Sequence, residues 1–514
     1  MRCSAVLLGL VLVGIGFGLL ACDDADSAKV ERTQRDAAVH SDGGHASDAG
    51  GMDARASQPL PDSGLPPAVI ADPTDEAAYI YDQSALRAYE LRIAPADLAR
   101  IDADPQKEEY VAGTLIFEGK EYGPVGVRYK GSVGGFIGCI ATGTMPPGVA
   151  ANAKTCSKLS MKVDFDWQTP AVEFYGLRKL QFHAMNRDPS MLKERLGYTM
   201  FRQFGLPAPR SVHARLTING EFVGLFALVE QIDGRFTRSR FTEGGKGNLY
   251  KEAWPVYAAT LAVNEAYLRA HLETNKDENP SFAPMLDFSA ALQASDVSGL
   301  PDTIAEYADV DAIMRYVAVD RTIAHDDGPF HFYCGTGVCA NHNFYWYQEA
   351  GAPRVWLVVW DLDSSFNLIN TTTTISFPWD DTSMQCLPRS YPPALLPMLP
   401  PQCDKLGLGL ASLQQPYVDA VKEFLAGPFQ AEPIEKMLSD WEAQVAPSVD
   451  EAAKAHTDAV TVTQWQEATA ALRAVIIELR QRAVARVDEG AKDIVDPRAV
   501  RDAGSAGGDT DGGS

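Results

Sequence analysis

Residues 319–366 read VDRTIAHDDGPFHFYCGTGVCANHNFYWYQEAGAPRVWLVVWDLDSSF, and this stretch decides the fold. It holds two acidic pairs, Asp326-Asp327 and Asp361/Asp363, separated by His342-Asn343-Phe344-Tyr345-Trp346-Tyr347. The first pair follows a helix-like segment, 309–322, and the second ends an apolar strand, 355–360. Carboxylates with an amide at the mouth of a strand are hard oxygen donors of the kind Mg²⁺ takes together with phosphate oxygens. A further carboxylate nearby can accept the proton of an attacking hydroxyl. These residue types in this order point to phosphoryl transfer.

Upstream, 114–117, a turn at Glu118-Gly119-Lys120, and 125–130 read as a hairpin. It runs into the Gly-rich segment 131–138, whose N–H groups can approach phosphate, although Gly clusters more often mark plain loops. Residues 158–165 alternate as a strand carrying Lys158 and Lys162, either phosphate-pairing or on a solvated face. Asp188-Pro189 supplies an N-cap and a first helical residue. Leu192, Leu196, Met200 and Phe204 then line one helix face until Gly205 and Pro207 stop it. Glu194, near the start of that helix, either complements its dipole or orients a strand lysine. Asn219-Gly220 between alternating apolar runs is a strong hairpin signal, and Glu230 closes the second strand. A strand at 248–251 precedes a polar, helical insertion at 258–303. Residues 370–401 are irregular and Pro-rich, and 406–495 are helical, with a long amphipathic stretch at 462–489.

A chain of 514 residues has room for two or three domains, and 46% hydrophobic residues suit a sizeable core. Its 45 basic against 68 acidic residues leave a net charge of −23, a field that opposes nonspecific nucleic-acid binding. At the amino end, Arg2 precedes an apolar run, 5–21, of export-signal length. The run closes on Leu19-Leu20-Ala21-Cys22, which resembles the lipobox of bacterial lipoproteins and implies lipid on Cys22. No later stretch is apolar enough to span a bilayer, so the expectation is an exported protein anchored to a bacterial membrane by lipid. Residues rich in Asp, Ala, Ser and Gly follow Cys22 and recur at the carboxyl end; too few are apolar to offset ordering entropy. Beyond Cys3 and Cys22 there remain Cys139, Cys156, Cys334, Cys339, Cys386 and Cys403. Six cysteines allow fifteen connectivities, of which neighbour pairing is preferred here, in keeping with an oxidising compartment. Zinc is the competing reading, but no CxxC or His–Cys ligand spacing supports it.

Taken in order, these segments resemble the CotH family, named after a bacterial spore-coat kinase. The resemblance is carried by Val127-Arg128-Tyr129-Lys130-Gly131-Ser132, by 158–165, and by Asp188-Pro189-Ser190-Met191-Leu192. It continues through Asn219–Leu225, Glu230-Gln231-Ile232-Asp233 and Asn248-Leu249-Tyr250-Lys251. His342–Tyr347 and Val359-Trp360-Asp361-Leu362-Asp363-Ser364 complete it. The resemblance implies an α+β, atypical protein-kinase-like fold with a strand-rich N-terminal part, a central mixed sheet and C-terminal helices. It also implies ATP and Mg²⁺ or Mn²⁺, with Ser/Thr of an unidentified protein as acceptor. Carried over by position, Asp327 is the catalytic aspartate of an Asn-x-Asp motif, with His325 standing where Asn is usual. Asn343, Asp361 and Asp363 are the implied metal ligands. Lys162, with Glu194 as partner, and Arg128, Lys130 and Glu230 lie on the nucleotide side.

The expected organisation is a signal (1–21), a disordered tether (22–65), one kinase-like domain (66–497) and a disordered tail (498–514). Within the domain, a strand-rich lobe (77–255), a helical insertion (258–303), a catalytic part (309–366) and C-terminal helices (406–495) follow in turn. The rival reading is a non-catalytic surface, coat or adhesion module on the same fold, stabilised by a cation such as Ca²⁺. Other chemistries lack their motifs: there is no G-x-x-x-x-G-K-[ST], H-E-x-x-H or G-x-S-x-G. No carboxylate spacing selects a glycosidase pair.

Overall fold

Alternation of apolar residues makes seven strands of the chain between 87 and 229. They are β1 (Arg87–Ile93), β2 (Val111–Phe117), β3 (Lys120–Tyr129), β4 (Met161–Asp164), β5 (Lys179–His183), β6 (Ser211–Ile218) and β7 (Glu221–Val229). In this computed structural model they close into a barrel of order β1-β2-β3-β4-β5-β7-β6. The β1–β6 pair is parallel and the others antiparallel, which makes the sheet mixed. Leu91, Leu115, Val127, Val163, Leu180 and Phe182 fill the barrel and are fully buried. Residues 75–488 are described, apart from 132, 142–151, 242, 257–262, 336–337, 368–378, 380–385, 387 and 389–396. The signal, the tether, Cys22 and the tail therefore lie outside the described residues, as does most of 370–401.

Past the barrel come β8 (Asn248–Lys251), β9 (Phe332–Gly335), β10 (Val338–Ala340), β11 (Phe344–Gln348), β12 (Val355–Val359) and β13 (Met398–Leu399). They form two three-stranded sheets, ordered β12-β11-β8 and β10-β9-β13. The expected insertion contains the helices Glu265–Ala270 and Ala283–Ala294, and Leu300–Tyr307 begins near its end. Asp309 caps the helix Val310–Thr322, accepting from Ala312 N at 3.0 Å. Four helices end the described chain: Lys405–Ser412, Gln414–Ala426, Ala431–Ala455 and Val462–Asp488. No described helix is long and apolar enough to cross a membrane. All three neighbour disulfides form: Cys139–Cys156, Cys334–Cys339 and Cys386–Cys403.

Two local expectations are corrected. The helix expected from Asp188-Pro189 begins at Lys193 and runs to Gln203, because Met191 sits at φ +60°, which an α-helix does not accommodate. Leu192, not Asp188, is the N-cap; the Asp188 carboxylate instead accepts from Ser190 N at 3.0 Å and from Lys193 N, the first helical residue, at 2.9 Å. The Gly-rich segment is not an open loop but holds a helical turn, Val133–Phe136, and Gly131 N–H is used internally by Glu108 Oε1 at 2.9 Å. The C-terminal helices brace this region. Trp465 Nε1 donates to Ser190 O at 3.1 Å, and the Arg195 guanidinium lies 4.3 Å over the Trp441 ring.

The β6–β7 turn carries Asn219 at φ +53° and Gly220 at φ +85°, the left-handed pair that a two-residue hairpin requires. Asn219 also reaches across the parallel junction, accepting from Ile93 N at 2.8 Å and donating to Ile93 O at 2.9 Å. Replacing Asn219 by Ala is expected to lower stability by about 2 kcal/mol through these two bonds and the left-handed backbone. A urea midpoint unchanged from wild type would contradict that role for the side chain.

Candidate functional site

Residues of one strand face alternate, so Arg128 and Lys130 in and after β3, Lys162 in β4, and Gln181 and His183 in β5 share the outer face of the barrel. The register sets Arg128 opposite Lys162 and Lys162 opposite Gln181. The Lys130 amine donates to Gln181 Oε1 at 2.6 Å and to His183 Nε2 at 2.8 Å, and lies 5.2 Å over the Trp360 ring. With Nε2 accepting, the imidazole hydrogen sits on Nδ1, which donates to Glu194 Oε1 at 2.7 Å. Burial and the Lys162 ammonium bring the Lys130 amine down to about 7, against the pull of Asp361 and Glu194. Burial pushes Glu194 well above the usual carboxylate range, with Asp363 adding to it. His183 was not anticipated from the sequence. Its signal was the alternation in Leu180-Gln181-Phe182-His183, which turns two polar residues to the face opposite two apolar ones.

Asp327 follows the helix Val310–Thr322 in a tight turn. Asn343 Nδ2 donates to the Asp327 carbonyl and to its Oδ2, each at 2.9 Å, and His342 Nε2 lies 3.4 Å from Oδ1. Tyr333 stacks on His342 with centroids 5.2 Å apart. Burial would push the Asp327 carboxyl up, but His342, His325 and Asn343 outweigh it and hold it below its ordinary value. Asn343 and Asp361 both lie in the left-handed region, at φ +64° and φ +52°. Such strain clusters at functional positions.

Asp361 and Asp363 flank the fully buried Leu362, which packs where the helix Lys193–Gln203 carries Gly197. A Cβ at 197 would stand 2.9 Å from Leu362 Cδ1 and 3.1 Å from its Cβ. Neither aspartate side chain forms a hydrogen bond or ion pair with a described residue. Burial pushes Asp361 well above its ordinary value, and Asp363, Glu194 and Asp327 add to the shift. That mutual repulsion is what a cation relieves, and Asn343, whose amide hydrogens go to Asp327, keeps its Oδ1 as a further donor atom. Among the described residues no three His, Cys, Asp or Glu side chains form a metal-holding group. The donor set still fits Mg²⁺, which takes one or two carboxylates together with water and substrate phosphates.

Buried lysines on a strand-rich half, set against Asp327, Asn343 and an Asp-Leu-Asp segment, define a kinase-like α+β domain. The chain belongs to the CotH kinase protein family, whose model matches residues 127–484, more than half of its length. It is similar to the inner spore coat protein H of Bacillus subtilis (strain 168), 21% identical over 291 residues, 55% of this chain and 70% of that protein. The inner spore coat protein H-like protein of the same organism is 43% identical over 51 residues, 10% of this chain and 17% of that one.

Two residues assigned to the nucleotide side have other partners. Arg128 is ion-paired with Glu108 and lies 5.2 Å over the Tyr110 ring. Glu230 is fully buried among arginines, accepting from Arg210 Nη2 at 2.6 Å, Arg240 Nη2 at 2.7 Å and Arg235 Nη1 at 3.4 Å. Burial would push its carboxyl up, but Arg240 and Arg210 outweigh it and hold it at about 2, against an ordinary 4.5. Its stabilisation is therefore complete above about pH 4.5 and is lost as pH falls toward about 2. Glu230→Gln is expected to cost about 3 kcal/mol at pH 7. The gap from wild type should close on acidification, and a gap that stays constant down to the acid transition would refute the assignment.

Proposed function

We propose that this protein transfers the γ-phosphoryl group of ATP to a Ser or Thr hydroxyl of a protein substrate, with Mg²⁺ or Mn²⁺. The observation that carries the reading is the Asn343 amide clamped on Asp327 beside Asp361 and Asp363, whose side chains bond no described residue. Phosphoryl transfer needs positioning and charge stabilisation rather than covalent chemistry from the protein. The acceptor hydroxyl oxygen forms the new P–O bond as the bond to ADP breaks, and its proton passes to the Asp327 carboxylate. Asp327 is suited to this because its partners keep it ionised at neutral pH. Asn343 fixes its direction. Asp361 and Asp363, with Asn343 Oδ1, would hold the metal, which would supply positive charge to offset that of the phosphates. Lys130 and Lys162 face the nucleotide side, where an arriving phosphate favours their ammonium forms. Glu194 orients Lys130 through His183.

Calorimetry of the full chain with ATP and Mn²⁺ tests the reading. Binding should be metal-dependent and should vanish in Asp361→Ala. Asp327→Asn should keep that binding yet lose phosphate transfer by at least about 100-fold. ATP binding that survives in Asp361→Ala, or its absence from wild type under either metal, sinks the kinase reading. The coat named in both relatives favours one other reading, a non-catalytic display module that uses the acidic pairs for a structural cation such as Ca²⁺. That reading is what failure of nucleotide binding would leave.

We infer also that lipid on Cys22 tethers the protein to a membrane after export. Cys22→Ala should then move it from the membrane fraction to the soluble one. Wild-type protein that stays in the supernatant after high-speed centrifugation would end that idea.

A further inference from the structure

We propose that His325 is a positioning residue that pins Asp361 to the turn carrying Asp327, in the place where the family resemblance expects Asn. The proposal rests on the reading of Asp361 as a metal ligand. His325 is fully buried, with Nδ1 2.9 Å from Asp320 Oδ1 and Nε2 3.1 Å from the Asp361 carbonyl oxygen. A carbonyl oxygen only accepts, so Nε2 carries a hydrogen and donates it. Asp320 belongs to the helix Val310–Thr322 and is itself fully buried, and its second oxygen, Oδ2, has no partner among the described residues. The imidazole is thus a strut from that helix to the peptide of Asp361.

The other end of the Asp361 residue is held too, since its N–H donates to the Tyr198 hydroxyl at 3.0 Å. Asp361 stands at φ +52°, a conformation that a non-glycine residue keeps only when its surroundings impose it. Tyr198 and His325 impose it from either side. The turn that follows closes over the strut. Gly328 N–H donates to His325 O at 3.2 Å, and a Cβ at 328 would stand 2.6 Å from both Asp320 Oδ1 and His325 Nδ1. Asp327 lies in that turn, so one buried ring sets the separation between the proton-accepting carboxylate and the metal-binding one. An Asn side chain is shorter and cannot span both partners.

The test compares His325→Leu, His325→Asn and the double variant Asp320→Leu/His325→Leu with wild type. Three properties are measured on the full chain: thermal melting, Mn²⁺ affinity from the electron paramagnetic resonance signal, and calorimetric binding of Mn²⁺–ATP. His325→Leu should melt lower, because Asp320 is left buried without a partner, and should bind Mn²⁺ about 10- to 100-fold more weakly. The double variant should regain most of the melting temperature, having no stranded carboxylate, while Mn²⁺ affinity stays low. His325→Asn should fall between wild type and His325→Leu in Mn²⁺ affinity. Affinity within twofold of wild type in His325→Leu, or restored in the double variant, overturns the positioning role. Wild type that binds Mn²⁺ but not ATP refutes the kinase reading and leaves His325 to be judged on Mn²⁺ alone. Wild type that binds no Mn²⁺ overturns both.

Discussion

The contact of Leu362 with the bare helix face at Gly197 is the constraint on which the site depends. A side chain at 197 would occupy the place of Leu362, so the Asp-Leu-Asp segment reaches the helix only because glycine stands there. That approach brings Asp361 within electrostatic reach of Glu194, on the same helix, and of Lys130 beyond it. One apolar side chain, fully buried, thereby anchors two acidic ones that remain partly exposed. The C-terminal helices support the arrangement from behind, since Trp465 holds the turn from which the helix starts.

Charge is handled in two opposite ways within the molecule. Around Glu230 the arginines more than offset the carboxylate, and its proton is held only at strongly acid pH. Such a cluster is complete in itself and serves the fold. Across the candidate site burial shifts both kinds of group and like charges add to it: Lys130 is lowered by burial and then by Lys162, and Asp361 is raised by burial and then by Asp363, Glu194 and Asp327. A fold gains nothing from such repulsion, whereas a phosphate beside the lysines and a cation beside the aspartates would relieve both sets. Perturbed groups of opposite sign in one place are the mark of a site rather than of a core.

Local backbone signals were legible wherever the chemistry is local. Asn219-Gly220 announced its hairpin because a two-residue turn needs left-handed residues, and 309–322 was legible as helix-like. The neighbour disulfides likewise join residues close along the chain. The start of the helix at Lys193 was not legible, because Met191 takes a left-handed conformation that no local rule assigns to methionine. Nor was barrel closure, which requires β1 and β6 to pair in parallel across more than a hundred residues of chain.

The sequence by itself determined which side chains are available: Asp327, Asn343, Asp361, Asp363, Lys130, Lys162 and Glu194 are all visible as motif residues. Tertiary structure decided their partners. Glu194 was read as the partner of Lys162, yet its hydrogen bond runs to His183 and through it to Lys130. Glu230 closes a strand as read but turns to arginines, and His325, which stands where the motif expects Asn, bonds the Asp320 carboxylate and the Asp361 carbonyl. The physical reason is range. Turns, caps and strand alternation follow from the conformational preferences of adjacent residues, whereas hydrogen-bond and charge partners depend on which distant faces the core packing brings together.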